Sequence, residues 1–224
     1  MRKRGELATS DEAGVAVLDY SPKGRSGYFY KKKTTKKRIV LHFTMGYLGG
    51  DLSTLTKKNY HVSVPFVVAR DGRIYRLFDS KYWSYHLGAD TIGGNKTCSS
   101  SSIGIELSNI GPLEKDGNWI WNTYGSKYCE VGKAKYYASG ADYRGYKHFA
   151  RFTDAQYSAV SDLLTALCSK HGIPRKFMNK RERYKPFSTP VDGRAYAGIC
   201  SHVNYRKYGK TDIGPMFNWS KIGA

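Results

Sequence analysis

Near the C-terminus three residues have the types and spacing for metal and carbonyl chemistry. In Gly198–Trp219, GICSHVNYRKYGKTDIGPMFNW, His202 is followed eight residues on by Lys210 and ten on by Asp212. Neutral imidazole and carboxylate are good zinc ligands, and a catalytic zinc site takes three protein ligands while leaving the fourth position to water. His202 and Asp212 supply two candidates, so a third must come from elsewhere. The alternative is a surface loop in which all three side chains are merely solvated. Gly209, Gly214 and Pro215 bend the backbone. The stretch therefore reads as a loop folded around something, not as a regular element.

Two strand-like runs carry further chemistry. In RIVLHFT, Arg38–Thr44, Ile39, Leu41 and Phe43 share one face while Val40 and His42 share the other. Apolar residues on both faces predict a central, covered strand. His42 falls at its C-terminal end, where open sheets place ligand-binding groups; a hydrogen-bonded core histidine is the competing reading. In SIGIELSN, Ser102–Asn109, Ile103, Ile105 and Leu107 line one face and Gly104 and Glu106 the other. A carboxylate inside an apolar strand is costly unless paired or used, so Glu106 is either a salt-bridge partner or a functional acid.

The remaining elements must position these groups. HVSVPFVVARDGRIYRLF reads as a hairpin with a two-residue type I′ turn at Asp71-Gly72. Asp51 or Ser53 is a candidate cap for a short helix running to Lys58. DSKYWSYHLGAD, Asp79–Asp90, is dense in aromatics and suits either a flap over the core or a substrate wall. Residues 111–150 read as an inserted hairpin or long excursion. Thr153 and Gln156 form a capping box for a long helix with Tyr157, Val160, Leu164 and Leu167 on one stripe, ended by Gly172 and Pro174. Residues 1–37 read as a basic N-terminal arm closing in KKKTTKKR, in which GVAVLDY could form a short strand, and 38–224 as a single domain.

Composition bounds the partners. Lys and Arg number 37 against 18 Asp and Glu, a net charge of +19, which draws the chain to polyanions such as nucleic acid, anionic lipid or cell-wall polymer. No apolar run is long enough to span a membrane, so no membrane partner is expected. The basic start lacks an apolar core behind it, giving the expectation of no signal peptide and of four reduced cysteines, Cys98, Cys129, Cys168 and Cys200. No nucleic-acid motif accompanies the charge, so no specific nucleic-acid partner is expected.

Taken in order, LHFT, the hairpin, IGIEL, the capped helix and SHVNYRKYGKTDIGP resemble the zinc-dependent N-acetylmuramoyl-L-alanine amidases. That family takes in bacteriophage amidase lysozymes, muropeptide-recycling amidases and peptidoglycan recognition proteins. The resemblance covers about residues 38–219. It implies an α/β (α+β-like) fold: a mixed central sheet packed by the long helix and smaller ones, with a zinc groove at one sheet edge. It further implies His42, His202 and Asp212 as ligands to one Zn2+ per chain, Glu106 as the carboxylate that handles the nucleophilic water, and Lys210 facing the scissile carbonyl. Trp83 and His86 fall where the family carries an aromatic-His wall and are the substrate-contact candidates.

The implied partner is peptidoglycan, cut between N-acetylmuramic acid and L-alanine by a monomer. The implied setting is a phage-type endolysin held in the host cytoplasm before reaching the wall. The other class of reading is a non-catalytic peptidoglycan-binding or nucleic-acid-binding basic module. The chain departs from the family at VPF, Val64–Phe66, where relatives carry a Tyr or His. Cys200, two residues before His202, would close the site to water as a fourth ligand and is not expected to bind.

Overall fold

Alternating apolar side chains make Arg38–Phe43 and Ser102–Leu107 strands, and both lie inside a sheet with nearly every residue buried. The computed structural model describes residues 9–224. Its strands are β1 (Thr9–Glu12), β2 (Val15–Asp19), β3 (Arg38–Phe43), β4 (Phe66–Val68), β5 (Ile74–Arg76), β6 (Ser102–Leu107), β7 (Pro112–Asp116), β8 (Trp119–Asn122), β9 (Lys127–Glu130), β10 (Tyr137–Tyr143), β11 (Tyr146–Ala150) and β12 (Gly198–Ser201). The helices are α1 (Leu48–Leu55), α2 (Asn95–Ser100), α3 (Asp154–His171) and α4 (Pro190–Ala195).

The main sheet has seven strands in the order β1-β2-β5-β4-β6-β3-β12. β12, β3, β6 and β4 run parallel, and the β1–β2 and β4–β5 pairs are antiparallel. Ile39, Leu41, Ile103, Ile105, Phe66, Val68 and Ile199 pack with Tyr157, Val160, Leu163, Leu164 and Leu167 of α3 in one core. Burying each such aliphatic side chain stabilises the fold by roughly 1.5–3 kcal/mol. The helix starts at the Thr153–Gln156 capping box and ends at Gly172 in the left-handed conformation, as its residue types dictate. Val40, Gly104, Cys200 and then His42 and Glu106 fall on the opposite face by the period-2 rule. The site therefore forms away from the long helix, at the C-terminal ends of β3 and β6 beside edge strand β12.

Several expectations need correction. Residues 9–37 are no separate arm: β1 and β2 extend the main sheet, and Tyr28 and Phe29 pack into a second core with Val67, Tyr75 and Leu77. Residues 1–8 lie outside the described residues. The Glu12 side chain, fully enclosed, accepts from Arg76 at 3.1 Å and from Ser80 and Lys170 at 2.7 Å each. That network fastens β1 to β5 and α3. Glu12→Ala leaves Lys170 unpaired and Arg76 with Asp19 as its remaining carboxylate, and is expected to lower the unfolding free energy by about 2 kcal/mol in urea titration. The basic run also divides: Lys31, Lys32 and Lys33 are exposed, but Lys36 and Arg38 are buried. Arg38 donates to the carbonyls of Gly193 and Arg194 and to the Tyr205 hydroxyl. Lys36 donates to the carbonyls of Tyr82 and Ser100, and burial lowers its pKa to about 7.

The hairpin turn has three residues, not two. Gly72 N–H reaches Ala69 C=O while Ala69 N–H reaches Arg73 C=O, and Gly72 takes the left-handed conformation. Helix α1 begins at Leu48, so Asp51 lies inside its first turn, where it accepts from Ser108 Oγ at 2.6 Å instead of capping. The 111–150 excursion is a second, five-stranded sheet in the order β10-β11-β7-β8-β9. The four cysteines are free.

Candidate metal centre

Parallel register sets the site. His42 on β3 pairs with Glu106 on β6, and Ser201 on β12 pairs with Leu41, so the chain delivers His202 beside His42 as β12 ends. Gly198–Ser201, read from sequence as part of a loop, is this edge strand, and a 3-10 turn covers His202–Tyr205. The loop then returns, and the Val203 N–H bonds to Asp212 C=O at 3.0 Å.

Three polar atoms converge there. His42 Nδ1 lies 3.0 Å from His202 Nδ1 and 3.0 Å from Asp212 Oδ2, and His202 Nδ1 lies 2.8 Å from the same oxygen. All three residues are buried, and they form the group of potential metal ligands found among the described residues.

Outer hydrogen bonds decide which atoms can bind. Ser102 Oγ donates to Cys98 C=O at 2.8 Å, so it accepts from His86 Nε2–H at 2.8 Å. His86 Nδ1 is then an acceptor and takes the His42 Nε2–H at 3.0 Å. His202 Nε2–H donates to Leu87 C=O at 3.0 Å. Both ligand imidazoles thus spend their N–H outward and turn Nδ1 lone pairs inward, the arrangement that orients metal-binding histidines. Two lone pairs and a carboxylate oxygen meeting in a buried space suit a cation.

Charge and burial reinforce this. Burial and the neighbouring His202 lower the His42 pKa to about 4, against the pull of Asp212. Burial opposes ionisation of Asp212, but the positive charge that His202 and His42 can take up beside it prevails and holds its carboxyl well below the usual carboxylate range.

Glu106 stands beside the cluster with Oε2 enclosed and without a protein partner. Burial and the charge of Asp212 push its pKa well above the usual carboxylate value, while Lys210 works in the opposite direction. Lys210 also disfavours protonation of His42, so its ammonium field reaches both groups. Two cavities flank Met45. One of about 410 Å³ is lined by Tyr47, Asp51, Glu106 and Tyr124 among others. The other, of about 470 Å³, is lined by Arg144, Tyr146, Lys207, Tyr208 and Lys210 among others. Larger depressions elsewhere contain no residue of the cluster.

The structure brings together His42, His202, Asp212, Glu106 and Lys210, and moves Trp83 and His86 away from a substrate wall. Trp83 is 6 % exposed and stacks on Tyr30 with ring centroids 4.4 Å apart. His86 sits behind His42, and neither residue lines the two cavities. The signal for His86 was Gly104. A Cβ there would come within 2.5 Å of Val64 Cγ1 and 3.1 Å of His86 Nδ1, so glycine makes the room. Replacing His86 by Ala is expected to weaken metal binding at this cluster roughly 10- to 100-fold, measured by competition with a chromophoric chelator.

Comparison with known proteins now adds to the geometry. The model of the N-acetylmuramoyl-L-alanine amidase family matches residues 32–215. The chain belongs to that family. Among amidase relatives, N-acetylmuramoyl-L-alanine amidase AmiD of Escherichia coli K12 is 25% identical over 191 residues, covering 83% of this chain and 51% of AmiD. The 1,6-anhydro-N-acetylmuramyl-L-alanine amidase AmpD of Citrobacter freundii is 25% identical over 165 residues, covering 73% of this chain and 56% of AmpD. The chain thus spans about half the length of these curated relatives.

Two solved amidase structures share the fold. The Escherichia coli AmiD complex with anhydro-N-acetylmuramic acid-L-Ala-D-gamma-Glu-L-Lys superposes with a TM-score of 0.55 at 21% identity, over 96% of this chain and 64% of that one. AmpDH3 of Pseudomonas aeruginosa, in complex with an anhydromuramic pentapeptide, gives a TM-score of 0.52 at 14% identity, over 91% and 62% of the two chains.

Proposed function

We propose that this chain is a peptidoglycan hydrolase that cuts the amide between the lactyl group of N-acetylmuramic acid and L-alanine, with one zinc ion per chain. The observation that carries the reading is the convergence of His42 Nδ1, His202 Nδ1 and Asp212 Oδ2 beside an unpartnered Glu106 oxygen. Family membership and the names of its relatives point to the same bond.

His42, His202 and Asp212 would hold the ion, and two neutral imidazoles with one carboxylate leave it a net positive charge. Zinc held there would supply Lewis acidity, the property that makes a water easier to deprotonate near neutral pH. Glu106 takes the proton of the attacking water and returns it to the leaving amine of L-alanine. Burial raises its basicity for the first transfer and keeps the carboxylic acid available for the second. Lys210 places its ammonium where the carbonyl oxygen gains charge. The cavities on either side of Met45 give the glycan and the peptide separate walls.

We further propose that the substrate is the assembled wall, as for a phage-type endolysin. The net charge of +19 supports this, because stem peptides carry carboxylates and a polyanionic wall holds a basic protein. The test is to give zinc-loaded protein purified sacculi and soluble muropeptides separately. Clearing of sacculi that stops with chelator supports the reading. Turnover of soluble fragments with intact sacculi would overturn the endolysin assignment while leaving the amide chemistry standing.

A further inference from the structure

The second sheet reaches into the site at one point. Strands β10 and β11 pair Tyr143 with Tyr146, leaving Arg144-Gly145 as a two-residue turn. Both residues have positive φ, 55° and 91°, the requirement of a type I′ turn. Asn or Gly would take the first position at less cost than Arg. An arginine kept in the left-handed region asks what its side chain does.

Its guanidinium crosses to the loop that carries Lys210. Arg144 Nη1 donates to the Lys210 carbonyl at 2.7 Å and Nη2 to the Arg206 carbonyl at 3.1 Å. One rigid fork therefore closes both ends of Arg206–Lys210, a stretch with Tyr208 72% exposed and Gly209 in the left-handed conformation. A lysine in its place could donate from only one point and could not span both carbonyls in this way. The rest of the hairpin is fitted to the same loop. A Cβ at Gly140 would meet Met216 Cε at 2.3 Å, and one at Gly214 would come within 3.3 Å of the Phe149 ring.

The other end of the loop is held from the ligand side. Arg206 donates to Leu87 C=O at 3.2 Å, the same carbonyl that accepts from His202. Without Arg144, Arg206 and Asp212 would remain anchored while Lys210 would lose the bond to its own backbone.

We propose that Arg144 is a positioning residue for Lys210, and that the β10–β11 hairpin of the second sheet serves the reaction by fixing where the Lys210 ammonium stands. Arg144 acts through the loop backbone and not on the substrate, and this role rests on the amidase reading above.

The test compares the zinc-loaded parent with Arg144→Ala, Arg144→Lys, Lys210→Ala and the double variant Arg144→Ala/Lys210→Ala, all as full chains. Hydrogen exchange of the 206–211 amides is read first, because it does not depend on turnover. Arg144→Ala is expected to raise exchange there about tenfold or more, while the amides of β3 and β6 keep their protection. Turnover of a soluble muropeptide is expected to fall on the order of 10- to 100-fold in kcat, with full zinc occupancy and a much smaller change in KM. Arg144→Lys should fall between parent and Ala, which keeps the question open to test if the Ala variant folds poorly. The double variant should be no slower than Lys210→Ala alone, because both remove one function.

Unchanged exchange at 206–211, loss of zinc in Arg144→Ala, or independent losses that multiply in the double variant would each overturn the proposal. A parent that binds zinc but never cuts muropeptide would refute the amidase reading instead, and the exchange data would still decide whether Arg144 holds the loop.

Discussion

Glu106→Gln is expected to lower kcat on muropeptide by about 10²- to 10⁴-fold, the range for loss of a positioned general base. The substitution keeps the size of the side chain and removes only its basicity. Because Oε2 has no protein partner, the new amide disturbs no hydrogen bond within the chain. Zinc occupancy and melting temperature should therefore stay near those of the parent.

The pH profile gives a second readout. Burial and the charge of Asp212 raise the Glu106 pKa, so the carboxylate is protonated and unable to accept a proton to a higher pH than an ordinary glutamate. Parent kcat/KM should rise with pH along an acidic limb set by deprotonation of Glu106. That limb should be missing from the residual activity of the Gln variant. Near-parental turnover in Glu106→Gln would remove Glu106 from the mechanism.

The second large effect is on stability. Zinc binding to the folded chain alone adds RT ln(1 + [Zn]/Kd), which is about 4 kcal/mol at a thousandfold excess over Kd. Chelation should remove that increment together with all activity, and His202→Ala should respond weakly to zinc because one of three ligands is gone. In metal-free protein the sign of the pH dependence follows from His42. Its folded pKa of about 4 lies below its ordinary 6.5, so the unfolded chain binds a proton that the folded chain refuses. Stability of the metal-free protein should fall as pH drops through that window, and it should be flat in this respect above it. Urea unfolding at neutral and mildly acidic pH, with and without zinc, checks both statements. Equal zinc stabilisation of the parent and of His202→Ala would place the metal elsewhere.

The parts of the fold and site that were legible in the sequence share a physical cause. LHFT and IGIEL alternate strictly around a central strand, so the faces of His42 and Glu106 could be read from period 2 alone. The Thr153–Gln156 box and Gly172 marked both ends of α3 by local chemistry. The terminal loop offered His202, Lys210 and Asp212 at a spacing that gained meaning once two strands could supply partners.

What was hidden depends on distant contacts. Nothing local says that Glu12 will meet Arg76 and Lys170, which is what makes residues 9–19 part of the sheet. Lys36 and Arg38 belong to a basic run at the end of the expected N-terminal arm, yet each finds backbone carbonyls inside. His86 lay in an aromatic loop and looked like a wall, while its hydrogen bonds make it a support for His42. Strands β7–β11 were obscured by short Tyr-, Lys- and Gly-rich segments with weak alternation. Even there, Y-R-G-Y carried a turn signal, and that turn is where Arg144 stands.

The most direct test of the central claim is mass spectrometry of the products formed from a defined muropeptide by the zinc-loaded protein. The account predicts two products: a free stem peptide with L-alanine at its N-terminus, and an intact sugar whose lactyl group ends in a carboxylate. Products cut within the glycan or between amino acids of the stem, or no products from protein shown to hold zinc, would contradict it.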